Sequence, residues 1–311
     1  MHAYQQLRVD QKTSKILTLS THIGLLKSTR LAYGVNSASG IFQRKIEKTL
    51  QDLTYVACYL DDIIIDGQTE QEHVKLLREV LNRLKKCGLT VNPDKCVFYK
   101  RSMKILGYVI DSNGIHTDEE KIKAIEQVPP PTNVKQLQAF LGLFSNYHKY
   151  IPEAATILAP LYALLHKNKN WHWSGDCNQA FNNVKKFLLE SNFLTYFKPD
   201  AITKLRTDAS PYGIAGVLLQ VIDNEERPVA FASQTLSETE QKYLQLDKEA
   251  LAITFLLEKF HKYLFGIHFT LQTDNRALTF LFNPHKSLSK IVYNRLQRYV
   301  LILSGYNYSI D

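Results

Sequence analysis

The chain of 311 residues is long enough for two or three domains, and its 45% apolar and 22% charged residues are ordinary globular proportions. No apolar run approaches the ~20 residues that a membrane-spanning helix needs, and the four cysteines show neither CxxC pairing nor zinc-type spacing. The formal net charge of +8 favours a polyanionic partner, although solvated basic helix faces would give the same charge.

Residues 1–116 are predicted to mix short strands and helices. VACYLDDIII predicts a hairpin that carries Asp61 and Asp62 at its tip. The segment from Thr69 to Gly88 has apolar residues at helical spacing, which predicts an amphipathic helix that Gly88 ends. Further strands are expected around LTVN and ILGYVIDSNGI, the second closed by a turn at Asn113 and Gly114.

Residues 117–199 are predicted to be mainly helical. TDEEKIKAIEQV begins with a cap and has acids in its first turn, and the prolines at 129–131 end it. A second helix follows, and NWHWSGDCNQAF opens a third. The second helix carries an apolar stripe of Val134, Leu137, Phe140, Leu141 and Phe144.

Residues 200–311 change character. KLRTDAS, YGIAGVLLQ, RPVAFASQ and FTLQTD predict four strands, and NYSID begins a fifth. Between them DKEALAITFLLEKFHKYLFG predicts a helix with Asp247 as its cap and Gly266 as its stop, and helices are expected around ALTFLF and KIVYNRLQRYVLIL. The predicted fold class is therefore α/β, with an α+β domain, a helical region and a mixed-sheet domain in that order.

The neighbouring acids Asp61 and Asp62 lie between two apolar runs. Burying two unpaired carboxylates in contact is costly, and a divalent metal removes that cost. A YxDD hairpin followed by an amphipathic helix suits two-metal phosphoryl transfer, although one hairpin cannot surround two ions and further carboxylates are needed. The alternative is a solvent-facing turn with adjacent aspartates, which the apolar flanks disfavour.

A second set of acids comprises Asp208, Glu249 and Asp274. They are far apart in sequence, and each is expected at the end of an element or on a strand that faces a helix. The alternative is three unrelated surface acids.

The wording and order of these motifs resemble the Pol polyprotein of gypsy-type long-terminal-repeat retrotransposons over essentially the whole chain. The motifs are YLDD, LAYGVNSASGIFQR, ILGYVI, FLGLFSNYHKYIPEAATILAPLYALL, TDAS, YLQLDKE and TDN. The resemblance implies a reverse transcriptase palm at 1–116, a thumb and connection at 117–199, and a ribonuclease H-like domain at 200–311. It implies RNA-directed DNA polymerase and ribonuclease H activities that act on an RNA template, a DNA primer, dNTPs and RNA/DNA hybrids.

The resemblance also assigns metal-binding and catalytic roles to the acids. Asp61 and Asp62 would serve the polymerase, and Asp208, Glu249 and Asp274 the ribonuclease H. Two Mg²⁺ ions are expected in each active site, with Mn²⁺ as an alternative.

Five further residues are implied to bind substrate. Tyr4 would be the aromatic gate against the ribose 2′-hydroxyl, and Phe42 and Gln43 would lie near the template and the incoming nucleotide. Lys95 would lie near the triphosphate, and Gly107 would belong to the hairpin that grips the primer end.

Two acids of the family pattern are expected to be absent. Aligning His2, Ala3 and Tyr4 with the first palm motif of the family places the aspartate of that motif before Met1, and most of the fingers domain would precede the same motif. The fourth ribonuclease H acid of the family would follow Asp311. We therefore expect a poor or inactive polymerase and a weakened nuclease. The alternative is a catalytically inactive transposon remnant that at most binds nucleic acid.

The expected location is intracellular, because the start lacks the apolar core of a signal peptide and the cysteines suit a reducing compartment. The oligomeric state stays open.

Overall fold

A computed structural model describes residues 3–145, 147–166, 170–190, 193–284 and 294–311. The chain divides into two compact units, Met1–Tyr99 and Lys100–Asp311. The boundary between the two units, after Tyr99, does not coincide with the domain boundary predicted after residue 116. The division into three domains stays a prediction. Within the described residues, no helix has both the length and the apolar content that crossing a bilayer requires.

The first unit contains three α-helices and two antiparallel hairpins among its described residues. Its elements are α1 (Gln11–Ile16), β1 (Thr18–Thr21), β2 (Gly24–Lys27), α2 (Ala38–Leu50), β3 (Val56–Tyr59), β4 (Asp62–Ile65) and α3 (Glu70–Lys86), with short 3-10 turns at Tyr4–Gln6 and Pro93–Lys95. Strand β1 pairs with β2, and β3 pairs with β4.

The core of the first unit lies between α2, α3 and one face of the β3–β4 hairpin. Its buried residues are Phe42, Ile46, Leu50, Val80, Leu84 and Leu89, and the hairpin adds Val56, Cys58, Ile63 and Ile65. The prediction of α3 is confirmed, because Thr69 caps its start by accepting a hydrogen bond from the backbone N–H of Glu72, and Gly88 follows its end with a φ of +71°.

The predicted strand at LTVN is wrong. The side-chain oxygen of Gln6 accepts a 2.7 Å hydrogen bond from the backbone N–H of Thr90, and the Gln6 amide nitrogen donates to the Thr90 carbonyl. A distant side chain therefore takes both backbone groups that a strand ladder would have used.

The second unit begins with a four-stranded antiparallel sheet and a group of helices. Its first elements are β5 (Ser102–Ile105), β6 (Tyr108–Asp111), β7 (Gly114–Thr117), α4 (Glu119–Glu126), α5 (Val134–Ser145), α6 (Ala154–Ala163), α7 (Gly175–Glu190) and β8 (Phe193–Thr195), with a 3-10 turn at His148–Tyr150. The strand order is β5-β6-β7-β8.

Strand β8 explains why residues 102–117 belong to the second unit. Gly114 pairs with Thr195, and a Cβ on Gly114 would collide with the backbone of Leu194 and the ring of Phe193. The predicted Asn113–Gly114 turn is confirmed, because Asp111 Oδ1 accepts hydrogen bonds from both backbone N–H groups.

The helical core uses the predicted stripe of α5. Leu137, Phe140, Leu141 and Phe144 are buried there together with residues of α6 and α7, whereas Val134 at the start of α5 is exposed. The predicted cap of α4 is confirmed, because Asp118 accepts a hydrogen bond from the N–H of Glu120.

The rest of the second unit is a five-stranded sheet with helices. Its elements are β9 (Ile202–Ala209), β10 (Gly213–Ile222), β11 (Glu225–Thr235), α8 (Glu238–Gln241), α9 (Gln245–Lys259), α10 (His261–Leu264), β12 (His268–Gln272), α11 (Arg276–Leu281), α12 (Asn294–Leu303) and β13 (Asn307–Ile310). The strand order is β11-β10-β9-β12-β13; β9, β10 and β11 are antiparallel, and β12 runs parallel to β9 and β13.

Helix α9 covers one face of this sheet at close range. A Cβ on Gly216 in β10 would collide with Leu256 of α9, so only glycine allows this approach. The helix begins at Gln245 after Leu244, so Asp247 lies in its first turn and is not the predicted cap. Gly266, with a φ of +85°, follows α10, and residues 290–293 of the last predicted helix lie outside the described residues.

Candidate functional site

The acids of the first unit lie at the tip of the β3–β4 hairpin. Tyr59 pairs with Asp62 across the hairpin, which leaves Leu60 and Asp61 as the two turn residues. One face of the hairpin packs on the core, and Asp61 and Asp62 are both exposed. The hairpin predicted from the sequence is therefore confirmed, and its acids are accessible to a ligand.

Gln43 of α2 is bonded to this hairpin. Its Oε1 accepts a 2.6 Å hydrogen bond from the backbone N–H of Leu60, and its Nε2 donates to the carbonyl of Cys58 at 3.0 Å. The same Nε2 donates to Glu47 Oε1 at 2.8 Å. The sequence predicted that Gln43 lies near the substrate. It did not predict the hydrogen bond of Gln43 to the turn or the hydrogen bond that Glu47 accepts from it, because spacing alone does not show that α2 lies against the hairpin.

Tyr4 and Phe42 form an aromatic group in the same unit. The Tyr4 ring lies edge-on to Phe42 with centroids 5.7 Å apart, and it lies 5.4 Å from Tyr33. Phe42 is only 5% exposed, so it supports Tyr4 from the core. A direct contact between Phe42 and substrate stays a prediction, and this burial does not favour it.

Lys95 and Gly107 belong to different units. Lys95 is exposed at the end of the Pro93–Lys95 turn. Gly107 lies with Leu106 in the two-residue turn between β5 and β6, with φ values of +85° and +49°. A Cβ on Gly107 would collide with Nζ of Lys121. The structure thus explains a glycine at position 107, and the predicted contact with the primer stays a prediction.

A lysine beside this turn was assigned no definite role from the sequence. Lys149 Nζ lies 3.9 Å above the centroid of the Tyr108 ring and 5.4 Å from that of Tyr150. Burial lowers the pKa of Lys149. Among the described residues no carboxylate pairs with it. A half-buried ammonium group with only aromatic partners can accept an external anion.

In the second unit, Asp208 and Asp274 lie at the ends of neighbouring parallel strands. Asp208 is the next-to-last residue of β9, and Asp274 follows the end of β12. Arg206 pairs with Gln272, and the two acids come two residues later on their respective strands. Both acids are exposed. The fold therefore brings together two of the three acids that the sequence separates.

Glu249 approaches the same edge from α9. It is 7% exposed, and its Oε1 accepts a 2.9 Å hydrogen bond from Nε2 of Gln245. That Nε2 also donates to the carbonyl of Ala209, the residue after Asp208, at 2.8 Å. Glu249 Oε2 is buried and has no hydrogen-bond partner among the described residues. Such an oxygen is costly to leave unpaired, and a cation would satisfy it.

The three acids nevertheless do not form a closed site in this structure. Burial alternates along β9, so that Leu205, Thr207 and Ala209 face α9 while Asp208 lies on the opposite face. Across the ranges that the structure describes, no three Asp, Glu, His or Cys side chains lie close enough to hold a metal ion. The donor types and the unpaired Glu249 oxygen fit Mg²⁺, whereas Asp61 and Asp62 lack a third carboxylate within those ranges.

Two family comparisons match separate parts of the chain. The family described as reverse transcriptase (RNA-dependent DNA polymerase) matches residues 1–110. The family described as the RNase H-like domain found in reverse transcriptase matches residues 173–271. The second match includes Asp208 and Glu249 and ends before Asp274.

Similar curated proteins are transposon polyproteins. The retrovirus-related Pol polyprotein from transposon opus of Drosophila melanogaster is 35% identical over 89% of this chain and 29% of its own length. The transposon Tf2-3 polyprotein of Schizosaccharomyces pombe is 33% identical over 99% of this chain and 23% of its own length. The chain thus spans less than a third of these relatives.

Similar solved structures are foamy viral protease–reverse transcriptases. One is a dRH form in complex with double-stranded DNA, with a TM-score of 0.86 and 21% identity over 100% of this chain and 55% of the other. Another is in complex with an RNA/DNA hybrid, with a TM-score of 0.82 and 21% identity over 100% of this chain and 43% of the other. At this identity the likeness shows a shared fold, and the predicted α/β class is confirmed.

Proposed function

We propose that this chain acts in RNA-directed DNA synthesis and in RNA hydrolysis within RNA/DNA hybrids. It belongs to the gypsy-type long-terminal-repeat retrotransposon Pol polyproteins and carries their reverse transcriptase and RNase H-like domains. The observation that carries the hydrolytic part is the buried, unpaired Oε2 of Glu249 near the strand ends that bear Asp208 and Asp274. A cation would satisfy such an oxygen, and metal-assisted hydrolysis uses one.

In the ribonuclease H-like domain, Asp208, Glu249 and Asp274 would hold Mg²⁺. When bound, the ion supplies an activated water and stabilises the charge that develops on the phosphate. Gln245 fixes one oxygen of Glu249 and leaves the other oxygen available. In this structure Asp208 and Glu249 approach the strand end from opposite faces of the sheet.

In the reverse transcriptase domain, Asp61 and Asp62 present their carboxylates at an exposed tip. Tyr4, supported by Phe42, is assigned to the exclusion of the ribose 2′-hydroxyl, and Lys95 to the triphosphate. Within the part of the chain that the structure describes, no third carboxylate joins them, so DNA synthesis supported by this acid pair is expected to be weak.

The proposed partners are an RNA template, a DNA primer, dNTPs and an RNA/DNA hybrid. The net charge of +8 and the half-buried Lys149 ammonium support binding to a phosphate backbone. Double-stranded DNA and an RNA/DNA hybrid are also named for the foamy viral structures of similar fold. An intracellular location, in the cytoplasm, a virus-like particle or the nucleus, stays a prediction.

The hydrolytic function is tested with an end-labelled RNA/DNA hybrid and Mg²⁺. The chain is expected to cut the RNA strand of the hybrid and to spare double-stranded RNA, and Asp208→Asn is expected to abolish cleavage. Asp223→Asn, in the exposed turn after β10, is the matched control and should cut normally. Cleavage that survives Asp208→Asn would refute the assignment.

DNA synthesis is tested by primer extension on an RNA template. We expect slow extension that Asp62→Asn removes, with Asp52→Asn as a control at an exposed surface ion pair. Robust extension would contradict the prediction that this acid set is incomplete.

A second function, nucleic-acid binding without catalysis, is favoured by one observation. No three potential ligands among the described residues form a metal-binding group. Hybrid binding that is equal in wild type and Asp208→Asn, with no cleavage by either protein, would support this second function over the first.

A further inference from the structure

The hydrogen bonds of Gln43 permit only one orientation of its side-chain amide. Nε2 faces three acceptors, the carbonyl and, at 3.9 Å, the Sγ of Cys58 and Oε1 of Glu47, while Oε1 faces a donor, the N–H of Leu60. Rotating the amide by half a turn would point N–H groups at the Leu60 N–H and an oxygen at two other oxygens. The amide is therefore held in this orientation by its partners.

These contacts occupy the donors of Gln43. A primary amide has two N–H hydrogens, and Cys58 and Glu47 accept both. The oxygen is used by Leu60 at 2.6 Å. A nucleotide could take an N–H of Gln43 only by breaking one of these bonds, which argues against the substrate contact expected from the sequence.

The bonded turn residue has an unfavourable backbone conformation. Leu60 has a φ of +52°, in the left-handed region that a branched, non-glycine residue adopts at a cost. A short hydrogen bond to its N–H offsets part of that cost. Asp61 follows Leu60 directly and Asp62 begins β4, so the conformation of Leu60 determines where both carboxylates point.

We propose that Gln43 is a positioning residue, which holds the Leu60–Asp61 turn in the conformation that directs Asp61 and Asp62 toward a shared divalent cation. Glu47 orients the Gln43 amide from the next turn of α2. The proposal rests on the proposed polymerase function in its choice of ligand, and the conformation of the turn can be measured without any activity.

The first test follows amide hydrogen exchange at Leu60 in the full chain by NMR. Gln43→Met keeps the side-chain length but removes both kinds of hydrogen bond, and exchange at Leu60 should rise at least tenfold. Gln43→Glu can still accept from the Leu60 N–H, but its second oxygen would face the Cys58 carbonyl and Glu47, so it should preserve only part of the protection. Gln71→Met, at an exposed position of α3, is the control and should leave Leu60 unchanged.

The second test measures Mn²⁺ binding by electron paramagnetic resonance. Asp61→Asn should remove one class of bound Mn²⁺, and Gln43→Met should weaken that class about tenfold, the low end of the loss on removing a ligand's supporting partner. Adding Leu60→Gly to Gln43→Met should restore part of the affinity, because glycine adopts a positive φ without cost. If Gln43 only packed in the core, Leu60→Gly would not restore the Mn²⁺ affinity that Gln43→Met lowers.

The outcomes separate the two proposals. Unchanged Leu60 exchange in Gln43→Met, or Mn²⁺ affinity equal to that of wild type, would overturn the role of Gln43 while the acid pair remained a metal site. If no class of Mn²⁺ bound to wild type were lost in Asp61→Asn, the proposed polymerase metal site would be refuted. The proposed role of Gln43 in positioning Asp61 and Asp62 would then be refuted as well.

Discussion

The side-chain nitrogen of Gln245 lies 2.9 Å from Oε1 of Glu249, one helical turn away, and donates a hydrogen bond to it. The same nitrogen lies 2.8 Å from the carbonyl oxygen of Ala209 on β9. One amide thus connects α9 to the strand that bears Asp208. The Glu249 carboxylate is held by one oxygen, and its second oxygen is left for a ligand.

The first prediction concerns this bridge. Gln245→Leu should lower hybrid cleavage about tenfold or more, because loss of a partner that orients a metal ligand commonly has effects of this size. The readout is the Mg²⁺ concentration dependence of cleavage, which should shift to higher Mg²⁺. Gln234→Leu, at an exposed position of β11, is the control. Equal Mg²⁺ dependence in Gln245→Leu and wild type would contradict the bridging role.

The second prediction concerns the unpaired oxygen of Glu249. Without Mg²⁺, Glu249→Gln should be as stable as wild type or more stable, because a buried amide is less costly than a buried carboxylate with one oxygen unpaired. At Mg²⁺ one hundred times its Kd, wild type should gain about 2.7 kcal/mol of unfolding free energy from this site and the variant none. Thermal unfolding with and without Mg²⁺ measures both effects, and an equal Mg²⁺ response would count against a metal at Glu249.

The third prediction compares two glycines. Gly107→Ala should destabilise the protein by about 1–2 kcal/mol, because φ at Gly107 is +85°, a conformation in which a Cβ is strained. Gly142→Ala should stabilise it by about 0.5–1 kcal/mol, because Gly142 lies inside α5 with no atom within 4 Å of an added Cβ. Urea unfolding gives both values, and effects of the same sign would contradict the described geometry.

The fourth prediction concerns pH and the cap of α4. The hydrogen bond from Lys104 lowers the pKa of Asp118 below its ordinary 3.8, and the N–H of Glu120 adds to this. The folded state therefore binds the proton less readily than the unfolded state. The charged carboxylate contributes stability above the unfolded pKa, and this contribution is lost as pH falls through the lower folded pKa.

Asp118→Asn should keep the cap but remove this titration, so stability should fall less steeply on acidification below pH 3.8 than in wild type. Urea unfolding midpoints across the acidic range measure the difference. Glu119→Gln, an exposed change in the same helical turn, should keep the wild-type slope. A steeper acid loss in Asp118→Asn would contradict the sign.

The fifth prediction concerns Lys149. If its ammonium contacts a phosphate of a bound duplex, Lys149→Met should weaken hybrid binding and lower the magnitude of the salt slope, d log K/d log [salt], by about 1. Methionine keeps the apolar stem over Tyr108 while removing the charge. Lys262→Met, at an exposed position of α10, should leave the slope unchanged. An unchanged slope in Lys149→Met would show that the lysine only packs on the aromatic rings.

Local sequence was enough for the elements that depend on neighbouring residues. The hairpin around Asp61 and Asp62, helix α3 between Thr69 and Gly88, and the strands β9 to β12 were predicted because periodicity, caps and turn residues act within a few positions. Motif wording likewise identified the family, because the acids and their flanking residues lie close together in sequence within each motif.

Tertiary structure decided everything that depends on contacts between distant segments. The pairing of β8 with β7, the capture of Thr90 by Gln6, and the hydrogen bonds of Gln43 and Gln245 all join residues that no local pattern relates. A side-chain amide can donate and accept in many settings, so its partners are set by which backbone groups the packed chain brings within about 3 Å. The residue types of the candidate sites could therefore be predicted from sequence, whereas the positions and supports of their carboxylates could not.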